Sequence, residues 1–171
     1  MVLTLITGGC RSGKSAHAIA LASTSPASRK FFIATGQPID DEMRARIEHH
    51  RRSRPADFQT IEEPVNLVAA LESLGSGVDM VVVDCLTLWI SNLLQEYSDD
   101  GILTQADELA AITGRARFSA IIVTDEVGWG LVPDHPVARR FRDLLGWTNQ
   151  RIARAADDVL LMVAGYPLRL K

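Results

Sequence analysis

Eight consecutive residues near the start of the chain, Gly8-Gly9-Cys10-Arg11-Ser12-Gly13-Lys14-Ser15, have the types and spacing to grip an anion. They match GxxxxGK[ST] in full. Glycines let successive main-chain N–H groups turn inward around a phosphate. A helix opening at the end of such a loop points its dipole and its uncommitted N–H groups at the same oxygens. Lys14 can reach the β- and γ-phosphates of a nucleoside triphosphate, and the Ser15 hydroxyl can ligate Mg²⁺. A chance glycine turn with a solvated lysine would share the composition but not the context. Here an apolar, β-branched run precedes the motif and a helical pattern follows it. The chemistry predicted is transfer of a phosphoryl or nucleotidyl group.

Three carboxylates stand at places where such a reaction would use them. Asp84 closes the run MVVVD, and the C-terminal ends of parallel strands face the ligand in an α/β sheet. A carboxylate there can hold Mg²⁺ directly or through water, or can cap the following helix. Asp125 and Glu126 follow another apolar run and reach the same edge. They could assist the metal, act as a base, or form an acidic turn. Cys10 and Cys85 also fall at strand ends, where small buried residues are the simpler reading.

A second constellation lies in DDEMRARIEHHRRSRP. Met43 and Ile47 are one helical turn apart and set its apolar face. At about 100° per residue, His50 falls about 60° from Ile47 and His49 about 160° away. His50 is therefore expected to border the packed side and His49 to point outward. Arg46, His50 and Arg54 form an i, i+4, i+8 row if the helix lasts that far. An imidazole among arginines can act as a nucleophile toward phosphorus, with the cations clamping phosphate oxygens. From the residues alone, a solvated helix face explains the same run as well.

These groups need a scaffold, and the pattern supplies one. Apolar runs at residues 2–7, 30–35, 80–84, 120–124 and 159–164 read as strands, with a short one at 58–62. Helical patterns cover 15–23, 65–74, 86–95, 103–115 and 136–156, and Asp40 is an expected N-cap for a helix ending near residue 53. Residues 165–170 read as a turn and edge strand, and the polar stretch 97–101 as an exposed loop. Alternating strands and helices, with strands apolar on both faces, imply an α/β fold: three layers, with a mostly parallel central sheet flanked by helices. The 171 residues suit one domain. A net charge of −3 offers no basic field, so nucleic acid is not an expected partner. Two cysteines form no disulfide framework, and no apolar run is long enough to span a bilayer, so a cytoplasmic protein is expected.

Taken in order, GGCRSGKS, DDEMRARIEHHRRSRP, EEP at residues 62–64, VVVDCLT, DEVGWGLVP and RRFRDLLGWTNQ resemble the bifunctional adenosylcobinamide kinase / adenosylcobinamide-phosphate guanylyltransferase family. The P-loop is shared with many families, whereas the histidine helix and the EVGxGxVP segment are far more specific. The resemblance implies ATP- or GTP-dependent phosphorylation of adenosylcobinamide. It then implies transfer of GMP from GTP through a histidine phosphoramidate. It places that histidine at His50, with His49 as runner-up. It implies that Ala34, Thr35 and Gly36 line the nucleotide site, that Arg51, Arg52, Ser53 and Arg54 serve it beside the nucleophile, and that Glu62 contacts guanine or ribose. It matches Asp84 to a metal-side acid and suggests a homo-oligomer, such as a trimer. Position 10 is Cys where the family pattern has Ala, and position 125 is Asp where it often has Asn. Two rivals stay open. One is a P-loop small-molecule kinase without a covalent nucleotide. The other is a nucleotide-dependent switch, although guanine-reading switches usually carry an NKxD segment and this chain has none.

Overall fold

The computed structural model describes residues 1–52 and 54–171. The elements, in chain order, are β1 (Leu3–Gly8), α1 (Lys14–Thr24), β2 (Lys30–Ala34), α2 (Asp41–Arg52), β3 (Phe58–Glu62), α3 (Leu67–Ser73), β4 (Met80–Asp84), α4 (Leu86–Leu93), α5 (Asp99–Arg115), β5 (Ser119–Val123), α6 (Pro136–Ala155), β6 (Asp158–Val163) and β7 (Tyr166–Arg169). The strands form one sheet in the order β3-β2-β4-β5-β1-β6-β7. All neighbours are parallel except β7, which returns antiparallel on β6 as the expected edge strand.

Strand side chains alternate between two faces, and each face has its own core. Leu3, Leu5, Phe31, Ile33, Val81, Val83 and Ile122 meet residues from α3, α4, α5 and α6 on one side, with Trp89 of α4 fully buried among them. Ile6, Phe32, Val82, Ile121 and Val123 meet Ala18 and Ala22 of α1 on the other. Alanines let α1 lie close to the sheet, which brings its N-terminus hard against the end of β1. The expected three-layer α/β architecture is the one observed.

Two expectations need correction. The stretch 97–101 is not a loop throughout, because α5 already begins at Asp99. The Ser98 hydroxyl accepts from the Gly101 N–H at 3.2 Å, and Asp99 and Asp100 sit where the helix dipole favours negative charge. The polar residues that suggested a loop are a helix start. Helix α2 is capped as expected, with the Met43 N–H donating to Asp40 Oδ1 at 2.7 Å. It buries no residue, however, and both His49 and His50 are exposed. Its contact with the body is slight: Ile47 lies against Gly36, where an added Cβ would sit 3.4 Å from the Ile47 side chain. The helix also stops at Arg52, so Arg54 lies beyond it rather than on a continuous row.

Candidate nucleotide-binding active site

The loop between β1 and α1 is held by backbone conformations few residues tolerate. Gly8 has φ +151°, and a Cβ there would lie 2.6 Å from the Met162 carbonyl oxygen and 2.8 Å from Ser12 Oγ. Gly13 has φ +96°, with Gly165 Cα 3.4 Å from its would-be Cβ. Arg11 is left-handed as well. The Gly165 N–H donates to the Ser12 carbonyl at 3.0 Å, so the turn between β6 and β7 braces the loop from behind. Cys10 and Arg11 are exposed at its tip, and Gly9 is half-buried.

Lys14 is 8% exposed, which is unusual for a lysine and demands partners. Its Nζ donates to the Gly9 carbonyl at 2.6 Å and pairs with Asp125 Oδ1 at 2.6 Å. The next residue, Ser15, donates its hydroxyl to Asp84. Asp84 closes β4 beside β2 and β5. It does not cap α4, whose N-cap position is Cys85 and has no side-chain cap bond. Burial raises the Asp84 carboxyl above the ordinary carboxylate range, and Asp125 adds to this. The Ser15 hydrogen bond and the charges of His50 and Arg54 oppose it. One carboxylate thus feels the P-loop serine, the histidine of α2 and the arginine beyond α2. Of the two adjacent histidines, His50 is the one whose charge acts on Asp84.

Arg54 stacks its guanidinium on Phe32, 4.2 Å from the ring centroid. Burial lowers its pKa from the usual arginine value, against the pull of Asp84. Arg51 hydrogen-bonds Glu62 at the end of β3 and is thereby raised. Glu48 pairs with Arg52 at 3.0 Å. Thr35 is fully buried: its hydroxyl donates to the Cys85 carbonyl at 2.7 Å and accepts from the Cys85 N–H at 2.9 Å. The Thr35 carbonyl accepts from Asn92 at 2.9 Å. Residues 8–15, 34–36, Glu62 and Asp84 therefore lie at or just beyond the C-terminal ends of β1, β2, β3 and β4, with Arg51 reaching Glu62 and with His50 and Arg54 acting on Asp84. Arg52 instead pairs with Glu48 of its own helix, and Ser53 lies outside the described residues. The thiol of Cys85, pushed up to about 12 by burial, stays protonated.

Three further residues belong to this edge. Thr87 Oγ1 donates to Asp125 Oδ2 at 2.7 Å, and Asn149 of α6 donates to the Asp125 carbonyl at 3.1 Å and to Glu126 Oε1 at 3.3 Å. Thr7 of β1 donates to the same Glu126 oxygen at 3.0 Å. The sequence carries one signal for Asn149. It falls on the apolar stripe of α6 with Leu144, Leu145 and Ile152, where an amide needs a purpose. Among the described residues, no group of three or more His, Cys, Asp or Glu could hold a metal unaided, and no helix is long and apolar enough to cross a membrane.

Solved structures with this fold include an ATPase from a type III secretion system (TM-score 0.61, 12% identity, 94% of this chain and half of that longer one). The RadB recombinase aligns at TM-score 0.51 with 16% identity, over 94% of this chain and 73% of its own. At such identities they speak for the fold alone. Sequence relatives are far nearer. The bifunctional adenosylcobalamin biosynthesis proteins CobU of Escherichia coli and of Salmonella typhimurium are 39% and 40% identical, over 99% of this chain and all of theirs. CobP of Pseudomonas aeruginosa is 41% identical over 98% of this chain and 96% of its own. The family model for cobinamide kinase / cobinamide phosphate guanyltransferase matches residues 4–170. With a match of that extent, and a P-loop, an acidic strand end and a histidine helix converging on one edge, the chain belongs to the cobinamide kinase / cobinamide phosphate guanyltransferase family.

Proposed function

We propose that the family's two reactions run at this one sheet edge, with His50 carrying GMP between GTP and the corrinoid phosphate. Membership of the family makes the chain a kinase and guanylyltransferase of cobalamin biosynthesis. The observation that carries the finer reading is Asp84, a single carboxylate bonded to the P-loop Ser15 and acted on by both His50 and Arg54. An acid shared by the P-loop serine and the histidine of α2 supports that reading.

In the kinase step, the adenosylcobinamide hydroxyl oxygen attacks the γ-phosphorus of ATP or GTP and the bond to the β-phosphate oxygen breaks. Lys14 and the loop N–H groups offset charge on the phosphates. In the second step, a ring nitrogen of His50 attacks the α-phosphorus of GTP and pyrophosphate departs. An oxygen of cobinamide phosphate then attacks the same phosphorus, and the P–N bond breaks to give adenosyl-GDP-cobinamide. Arg51, Arg52 and Arg54 follow this histidine in the chain and are cations suited to phosphate oxygens. Glu62 can accept from the adjacent N1–H and N2–H of guanine, which adenine lacks. Ser15 and Asp84 are the oxygen ligands that suit Mg²⁺, which takes few protein ligands and completes its shell with phosphates and water. Mg²⁺ bound there would neutralise charge developing on the phosphates.

A cytoplasmic setting fits the two unpaired cysteines. A homo-oligomer, such as a trimer, fits the exposed apolar loop after β5, where Trp129 is 72% and Leu131 96% exposed. A monomeric mass in solution with full activity would remove that reading. The central test is incubation with α-labelled GTP. The label is expected on the protein, labile to acid and stable to alkali, and lost in His50→Ala but kept in His49→Ala. Uptake by His50→Ala would overturn the assignment. Phosphoryl transfer with no adduct in any variant would favour a plain small-molecule kinase.

A further inference from the structure

The reactions above leave Asp125 without a role, yet it is among the most firmly held side chains of the site. Its Oδ1 pairs with Lys14 Nζ at 2.6 Å. Its Oδ2 accepts from Thr87 Oγ1 at 2.7 Å, while its own N–H donates back to that hydroxyl at 3.0 Å. Asn149 holds its carbonyl. The carboxylate is thus fixed from the protein side, independently of the lysine. It is 25% exposed and lies where the cation meant for the β- and γ-phosphates now rests.

From this we infer that Asp125 is a built-in competitor of the triphosphate: it holds Lys14 in the free enzyme and makes nucleotide capture depend steeply on a divalent cation. The inference rests on the reading of residues 8–15 as a triphosphate site. A triphosphate entering the loop must draw Lys14 away from a preplaced anion and then remain beside that anion. Like charges in a partly buried site repel more strongly than in water. A divalent cation on the phosphates cancels much of this repulsion, so the penalty is largest without one. Binding linkage is reciprocal, so Asp125 must also increase the factor by which nucleotide tightens the cation. An asparagine at this position would keep one acceptor oxygen, enough for the Thr87 hydroxyl, and would lose the charge that holds Lys14.

The test is the equilibrium affinity of the full chain for GTP by calorimetry, in EDTA and in Mg²⁺, at low and high salt. The variants are Asp125→Asn and Thr87→Val, the second loosening the carboxylate without removing its charge. Asp125→Asn is expected to tighten GTP about tenfold in EDTA, less than threefold in Mg²⁺, and less again at high salt. Thr87→Val should move the same way by a smaller factor. Unchanged or weaker binding in EDTA by both variants would overturn the inference, and so would a gain that salt leaves untouched. If Asp125→Asn fails to fold, the sign of the Thr87→Val effect decides. Should the wild type bind no nucleotide under any condition, the triphosphate reading falls first and this inference with it.

Discussion

The phosphate cradle and the histidine helix meet at one edge but are built in opposite ways. The cradle hangs from β1, whose six residues are all buried, and is braced by the turn after β6. Helix α2 buries nothing and meets the body through Ile47 against Gly36 and the exposed pair of Arg51 with Glu62. The cradle's shape is dictated by backbone sterics, so it is ready before a nucleotide arrives. The cations of α2 are ones that a nucleotide would also seek. Arg51 pairs with Glu62, and Lys14 with Asp125, so cations suited to phosphate are already engaged with carboxylates. A weakly anchored helix fits the proposal that His50 serves two steps, one facing GTP and one facing a bulky acceptor.

The sharpest way to break the contrast is Gly8→Ala. Its Cβ would be driven to 2.6 Å from a backbone oxygen, at a φ that side chains rarely adopt. A loss of at least about 2 kcal/mol of stability is expected, seen as a melting temperature lower by several degrees. A variant as stable as the wild type would mean that the brace from β6 is not rigid.

Asp84→Asn should act in the other direction. The folded-state pKa of Asp84 is raised by burial. Its contribution to stability is therefore fully present below the ordinary carboxylate pKa and is lost as pH rises through the raised value. Above the ordinary carboxylate range the burial of Asp84 is therefore a cost, and the amide should raise the melting temperature of the nucleotide-free protein. The gap between variant and wild type should close as pH falls through the raised pKa. A variant less stable than the wild type at neutral pH would show that Ser15, His50 and Arg54 outweigh burial. Smallest of all, Arg51→Gln should shift the melting temperature by no more than about 2 °C, since exposed ion pairs contribute little. A larger drop would show that α2 depends on this pair more than its exposure suggests.

How much of this was legible in the sequence follows the same divide. The P-loop could be read directly because its constraints are local: glycines at fixed offsets, then a lysine and a serine. The strands could be read as apolar runs, since both faces of the sheet are covered. Even Asp84 could be placed, by its position at a strand end. The start of α5 was misread because Ser98-Asp99-Asp100 has the composition of a loop and the function of a cap. Partnerships across the chain were beyond reach. Nothing near Lys14 announces Asp125, and nothing near Asp125 announces Thr87 or Asn149, because sheet order brings them together. The helical wheel picked His50 over His49 by assuming a packed face on α2. That face is not buried, and what sets His50 apart in the fold is its charge acting on Asp84.

The proposed chemistry stands or falls with the imidazole at position 50 taking a nucleotide from a triphosphate held by residues 8–15. Peptide mapping by mass spectrometry, after incubation with GTP and Mg²⁺ and quenching in alkali, decides this. The prediction is GMP on the peptide from α2, with fragmentation placing it on His50, and no adduct when Lys14→Ala is treated alike. GMP on His49, on a residue outside α2, or undiminished on the Lys14→Ala protein would contradict the claim.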